Sequence, residues 1–82
     1  MLRQPTPPQL KYLCALAQHQ HFGTAAKACH LSQSTLSASI VELEDVLSIS
    51  LVERNHRAVL LTVVGHAVVE RAKAILTDVD EV

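Results

Sequence analysis

The sequence predicts a mainly α-helical domain in which three short helices and a β-hairpin precede one long helix. Apolar residues recur at helical spacing in four segments, and two Leu- and Val-rich runs flank a polar turn. A chain of 82 residues forms one small domain. Almost half of the residues are apolar (49%), but Tyr12 and Phe22 are the only aromatic ones, so the core is expected to be aliphatic.

The first helix is expected to begin near Pro8, because proline is favoured in the first turn of a helix. It should end within residues 19–21 and bury a stripe formed by Leu10, Leu13, Cys14 and Ala17. A second helix is predicted over residues 23–30. Its small residues, which let another helix approach closely, are Ala25, Ala26 and Cys29.

Ser32 is a favourable N-cap for a third helix. The apolar stripe of this helix is Leu36, Ile40, Leu43 and Leu47. Its first two turns expose only short or uncharged side chains, whereas its acidic residues come later in the helix. The N-terminal end of this helix can therefore enter a negatively charged groove.

Residues 51–54 and 58–61 are predicted strands, and the turn between them contains Asn55, His56 and Arg57. Thr62 is the expected cap of a last helix over residues 63–82, which would be about 30 Å long. This helix has more apolar surface than one small core can cover, so a partner helix is implied. The expected dimerisation residues are Val64, Val68, Ala72, Ile75, Leu76 and Val79.

The net charge of −1 does not by itself favour nucleic-acid binding, but the charges are segregated. Residues 1–41 contain no acid and carry Arg3, Lys11 and Lys27. Residues 42–53 carry Glu42, Glu44, Asp45 and Glu53. A positive front and an acidic back allow a nearly neutral protein to approach phosphates.

Two short helices joined by a tight turn, with small polar residues at the start of the second, are typical of a helix-turn-helix. With the hairpin as a wing, the predicted fold is a winged helix-turn-helix. The sequence resembles the LysR-type transcription regulators, without gaps, at Phe22, Ala25-Ala26, Ser32-Gln33, Leu36-Ser37, Ile40, Leu43-Glu44, Leu47, Leu51, Glu53-Arg54, Leu61-Thr62 and Gly65. Within that family it most resembles the peroxide-responsive OxyR group, at His21-Phe22, Cys29-His30, Thr35-Leu36-Ser37 and Leu43-Glu44-Asp45.

The resemblance implies that the third helix lies in the major groove, that the wing reaches the minor groove or the DNA backbone, and that the last helix forms a homodimer. The implied target is double-stranded DNA with an interrupted inverted repeat, and a tetramer of the full-length protein is left open. The implied DNA-binding residues are Thr24, Lys27, Ser32, Gln33, Ser34, Thr35, Ser37, Ala38, Arg54, His56 and Arg57.

Plainer roles compete at several of these positions. Ser32 is more readily explained as a helix cap than as a phosphate ligand. His56 could add positive charge below about pH 6.5, or be an exposed histidine without function. Gln33 could read adenine through its amide, or it could merely cap the helix or be solvated.

The sequence also departs from the family pattern. Ser34 stands where a proline is usual, and Gly23-Thr24 replaces a polar-basic pair. Ala38, Ser39 and Val41 stand where relatives carry longer polar or basic side chains, so fewer bidentate base contacts are expected. Lower affinity or greater reliance on DNA shape should follow.

The expected organisation is a DNA-binding domain over residues 1–62 and a linker and dimerisation helix over residues 63–82. By resemblance, an effector-binding domain lies outside this chain, which is therefore expected to be a fragment. A bacterial, cytoplasmic protein without a cofactor, a metal site, a membrane span or catalytic activity is expected, since no catalytic or paired-cysteine motif occurs. The alternative is a winged-helix module used only for protein contact or dimerisation.

Overall fold

The computed structural model describes residues 3–53 and 59–81; residues 1–2, 54–58 and 82 lie outside the described part. The described residues form four helices and two strands, in the order α1 (Pro7–His19), α2 (Phe22–Ala28), α3 (Gln33–Leu47), β1 (Val52–Glu53), β2 (Leu60–Leu61) and α4 (Val63–Asp80). The strands are antiparallel, with Val52 opposite Leu61. The predicted mainly α-helical, winged helix-turn-helix fold is confirmed.

A reciprocal capping box starts α1. The hydroxyl of Thr6 accepts the backbone N–H of Gln9 at 3.3 Å, and the Gln9 side chain accepts the backbone N–H of Thr6 at 2.9 Å. The buried face of the helix is Gln9, Leu10, Leu13 and Leu16. The predicted stripe was partly wrong, because Leu16 is fully buried while Cys14 and Ala17 are only half-buried.

Helix α2 is shorter than predicted and ends at Ala28 instead of residue 30. His30 ends it by adopting a left-handed conformation with φ of 59°. The chain then turns so that the backbone N–H of Leu31 donates to the carbonyl of Ala26 at 2.9 Å. Ala25 and Ala26 are buried, as expected from their small size, and α2 packs against both α1 and α3.

Helix α3 begins as predicted. The Ser32 hydroxyl accepts the backbone N–H of Thr35 at 3.1 Å, which satisfies one of the free amides at the helix start. Three members of the predicted stripe, Leu36, Ile40 and Leu43, have no solvent exposure, and Leu47 is half-buried. The helix therefore hides one face and presents the opposite face to solvent.

The wing joins α3 to α4 through a carboxylate and a close backbone contact. The Glu44 carboxylate accepts the backbone N–H of Leu51 at 2.8 Å, just before β1. Thr62 caps α4 as predicted by accepting the backbone N–H of Gly65 at 2.8 Å. A Cβ at position 65 would overlap the Leu51 carbonyl oxygen, so only glycine lets α4 start this close to the wing.

Helix α4 packs along α1 and closes the aliphatic core. Val69 and Ala72 are buried in this contact, so the first half of α4 completes the helix-turn-helix core. The division at residue 62 remains a prediction. Among the described residues, no helix is long and apolar enough to cross a lipid bilayer.

Candidate nucleic-acid interface

The helix-turn-helix brings the starts of α2 and α3 to one side of the molecule. Residues 29–32 connect the two helices, and the turn is closed by backbone hydrogen bonds from His30 to Lys27 (3.1 Å) and from Leu31 to Ala26 (2.9 Å). Ala25 and Ala26 belong to the aliphatic core, and α2 packs against α3 close to this turn.

The first two turns of α3 present an uncharged polar surface. The exposed members of this surface are Ser32, Gln33, Ser34, Thr35 and Ala38; Ser37 is half-buried. The Ser32 hydroxyl donates to Thr35 Oγ1 at 2.7 Å and lies 3.2 Å from Ser34 Oγ. Thr35 accepts this bond, so its own hydroxyl proton can be donated to a DNA acceptor.

Thr24 and Lys27, the two residues of α2 predicted to contact phosphate, are both exposed. Sequence reasoning missed the residue that organises this end of α2. His21 is the N-cap, and its Nδ1 accepts the backbone N–H of Thr24 at 3.3 Å. Histidine is not among the favoured N-cap residues, so no cap signal pointed to it.

The acidic end of α3 is separated from this polar start. Asp45, in the last turn, pairs with Arg3 at 2.6 Å, and Glu42 accepts a hydrogen bond from the Gln9 side chain at 3.0 Å. The expectation that Arg3 belongs to a positive front is therefore wrong, because Arg3 lies against Asp45 at the acidic end. The first turns of α2 and α3 contain no acid.

The predicted wing contacts cannot be placed on this surface. Arg54, His56 and Arg57 fall between β1 and β2 in the sequence, outside the described residues. Their roles in DNA binding remain predictions.

Helix α4 exposes large apolar side chains. The exposed fractions are 46% for Val64, 40% for Ile75 and 57% for Val79, and Val68 and Leu76 are half-buried. Val63, which was not predicted, is 89% exposed. The prediction that Ala72 is a dimerisation residue is wrong, because Ala72 is 1% exposed and packs in the core of its own chain, so it offers no surface to a partner.

The two cysteines are free thiols and half-buried. Burial raises the pKa of Cys14 above its ordinary value of 9.0, which keeps the thiol protonated and unreactive at neutral pH. Within residues 3–53 and 59–81, no three His, Cys, Asp or Glu side chains are grouped so that they could hold a metal ion.

Comparison with known proteins identifies the family. Residues 8–66 match the model of the bacterial regulatory helix-turn-helix proteins of the lysR family. The chain belongs to the LysR family. The match includes α2, α3, both strands and the start of α4, and therefore covers the starts of α2 and α3 that form the surface described above.

Three similar proteins place this LysR domain more closely. It is 51% identical over 70 residues to the hydrogen peroxide-inducible genes activator of Pectobacterium carotovorum subsp. carotovorum, covering 85% of this chain and 23% of the relative. A Corynebacterium glutamicum OxyR mutant superposes with a TM-score of 0.93 at 36% identity, covering 99% of this chain and 26% of that one. The CbnR DNA-binding domain in complex with DNA has a TM-score of 0.89 at 38% identity, covering 93% and 87% of the two chains.

The expected resemblance to the OxyR group is thus confirmed. This chain spans about a quarter of the length of most of the curated relatives it matches, and 41% of one.

Proposed function

We propose that this domain binds double-stranded DNA as a homodimer and so regulates transcription, with the first two turns of α3 in the major groove. The main observation in support is the exposed start of α3, which contains no acidic residue and which the helix-turn-helix holds beside Thr24 and Lys27. An α-helix fits the major groove, and short hydroxyl and amide side chains can reach base edges or phosphates there. The similarity to the CbnR domain in its DNA complex supports this reading over a module for protein contact alone.

The apolar face of α4 supports the dimer. Val64 and Val79 are equally distant from the helix midpoint between residues 71 and 72, and so are Val68 and Ile75. Two copies of α4 packed antiparallel around a two-fold axis would therefore place Val64 beside Val79 of the second copy and Val68 beside its Ile75. A two-fold contact of this kind uses the same surface on both chains.

A two-fold dimer presents its two α3 helices in opposite orientations. Such a dimer matches two half-sites related by inversion, which supports an interrupted inverted repeat as the target. We assign the domain to the bacterial cytoplasm and give it no catalytic role, since the family consists of regulatory proteins. An effector-binding domain, a tetramer and a response to peroxide belong to the whole regulator and remain predictions.

A DNA-binding titration tests the proposal. Duplexes enriched from a random pool by the wild-type domain would be compared with scrambled duplexes at two salt concentrations. We expect tighter binding to the enriched duplexes and weaker binding as salt rises. No binding to either duplex at low salt would contradict the proposal.

A pair of lysine variants tests the position of the interface. Lys27→Ala should weaken binding to all sequences and reduce the salt slope by about one unit per half-site, because it removes one phosphate contact from each subunit. Lys73→Ala is the matched control, since Lys73 lies on α4 and pairs with Glu70 at 3.1 Å. Equal effects of the two variants would place the interface elsewhere.

The dimer is tested separately by sedimentation. Ile75→Lys puts a charge in the apolar face of α4 and is expected to give a monomer. Thr77→Lys puts the same charge on an exposed position outside that face and should leave the dimer intact. A dimer that survives Ile75→Lys would rule out this face as the interface.

A further inference from the structure

The imidazole of His21 uses its Nδ1 within the chain. Its Nδ1 accepts the backbone N–H of Thr24 at 3.3 Å, so Nδ1 carries a lone pair and the ring proton of the neutral side chain is on Nε2. The side chain is exposed, and no hydrogen bond among the described residues uses Nε2. His21 therefore caps α2 with one nitrogen and offers an N–H donor to solvent with the other.

Gly23 makes room for this ring. Neither glycine of the described chain has positive φ, so position 23 does not need glycine for its backbone conformation. Glycine in a helix costs about 1 kcal/mol relative to alanine. A Cβ at Gly23 would lie 3.0 Å from His21 Cε1 and 3.3 Å from its Nδ1, so a side chain there would crowd the imidazole.

The same gap brings His21 close to α3. The amide oxygen of Gln33 lies 3.4 Å from the point that a Gly23 Cβ would occupy, which is also 3.0 Å from His21 Cε1. With its oxygen turned toward Gly23, the Gln33 amide has its NH₂ group available as a donor. The N-cap residue of α2 and the first residue of α3, His21 and Gln33, thus border the same space beside Gly23.

We propose that His21 is a further DNA-contacting residue, which donates from Nε2–H to a backbone phosphate while Nδ1 holds the start of α2. The inference rests on the proposed function. A phosphate fits better than a base edge, because His21 lies at the α2 side of the interface, near Thr24, and not on the helix assigned to the groove. No acid occupies the first turn of either helix to repel a phosphate.

Two substitutions separate the cap from the donor. His21→Asn keeps an acceptor at the position of Nδ1, and asparagine is a strong N-cap, but the variant lacks the distal N–H. His21→Gln places an amide N–H near the position of Nε2 but caps poorly. Both variants would be compared with wild type by thermal unfolding and by titration at pH 8 with wild-type-enriched and scrambled duplexes, at a temperature where all are folded.

We expect His21→Asn to be at least as stable as wild type, because asparagine is the better N-cap, and to bind DNA roughly three- to tenfold more weakly per half-site through the loss of one hydrogen bond. The loss should be equal on enriched and scrambled duplexes, since a phosphate contact carries no sequence information. His21→Gln should be less stable than His21→Asn but bind DNA more tightly.

Neutral methylphosphonates substituted one at a time along the duplex identify the phosphate. Wild type should lose affinity at one position per half-site where His21→Asn does not. Wild-type affinity in His21→Asn, or equal sensitivity of both proteins at every phosphate, would show that His21 is only a helix cap and would overturn the inference. Failure of the wild-type domain to bind any duplex would instead refute the proposed function itself.

Discussion

Replacing Gly65 by alanine should destabilise the domain although it adds a better helix former. The new Cβ would overlap the Leu51 carbonyl oxygen and come within 3.1 Å of the Thr62 hydroxyl that caps α4. The Leu51 carbonyl is a backbone group that also accepts the Thr62 N–H at 3.0 Å. The overlap can therefore be removed only if the chain at Leu51 and the start of α4 move apart. Overpacking of this kind costs about 1–3 kcal/mol and occasionally more, whereas the gain in helix propensity is about 1 kcal/mol.

Because the Leu51 carbonyl is backbone and cannot rotate away, the overpacking cost should lie at the top of that range or above it. We therefore expect Gly65→Ala to lower the free energy of unfolding by about 2 kcal/mol, or Tm by roughly 8–16 °C for a domain of this size. Gly23→Ala is the matched control, because it makes the same change in the first turn of a helix but meets only side-chain atoms of His21 and Gln33. Its stability should stay within about 1 kcal/mol of wild type. Thermal unfolding at one fixed protein concentration measures both. If Gly65→Ala were as stable as Gly23→Ala, the close contact of α4 with the wing would not be needed for the fold.

Three other changes follow from single contacts. His30→Gly should raise the free energy of unfolding by about 0.5–1 kcal/mol, because glycine adopts the left-handed conformation without a Cβ penalty. Cys29→Gly is the control and should lower the free energy of unfolding, because Cys29 has φ of −94°. Equal effects of the two variants in denaturant titrations would contradict the role of the left-handed conformation. Glu44→Ala should cost about 2 kcal/mol by removing the charged acceptor of the Leu51 N–H, and Glu44→Gln should cost less; equal losses would mean that the acceptor is unimportant. Burial raises the pKa of Cys14, so the folded state keeps the thiol proton to a higher pH than the unfolded state, and the free energy of unfolding should fall as pH rises above about 9. Cys14→Ala should show a smaller decline in this free energy between pH 8.5 and 10. An unchanged decline would show that Cys14 is not its cause.

Several local features of this protein could be predicted because they depend on neighbours in the sequence. Ser32 and Thr62 are hydroxyl residues directly before apolar periodic segments, and both cap the helices that follow. Helical spacing also identified the buried face of α3. The capping box at Thr6 also has a signal in the sequence, a threonine three residues before a glutamine.

The part of the candidate site that lies on α3 was also predictable from the sequence. Ser34 and Thr35 were expected at the exposed start of α3 and lie there, because a cap and an apolar stripe together define both the start and the outer face of a helix. The cap at His21 was not predictable, since histidine is an uncommon N-cap and its ring needs the space that Gly23 leaves.

The sequence alone thus determined the four helices, the caps of α3 and α4 and the family, since hydrogen bonds within a helix and the spacing of apolar residues are local properties. Only the tertiary structure decided which side of the apolar stripes of α1 and α4 meets the core. Leu16 is buried and Cys14 half-exposed because α1 packs between α2 and α4, and the same packing hides Ala72 and leaves Ile75 exposed. The ion pair between Arg3 and Asp45, which are 42 residues apart, could not be predicted from the sequence either. Charges far apart in the chain meet only after the helices between them have packed.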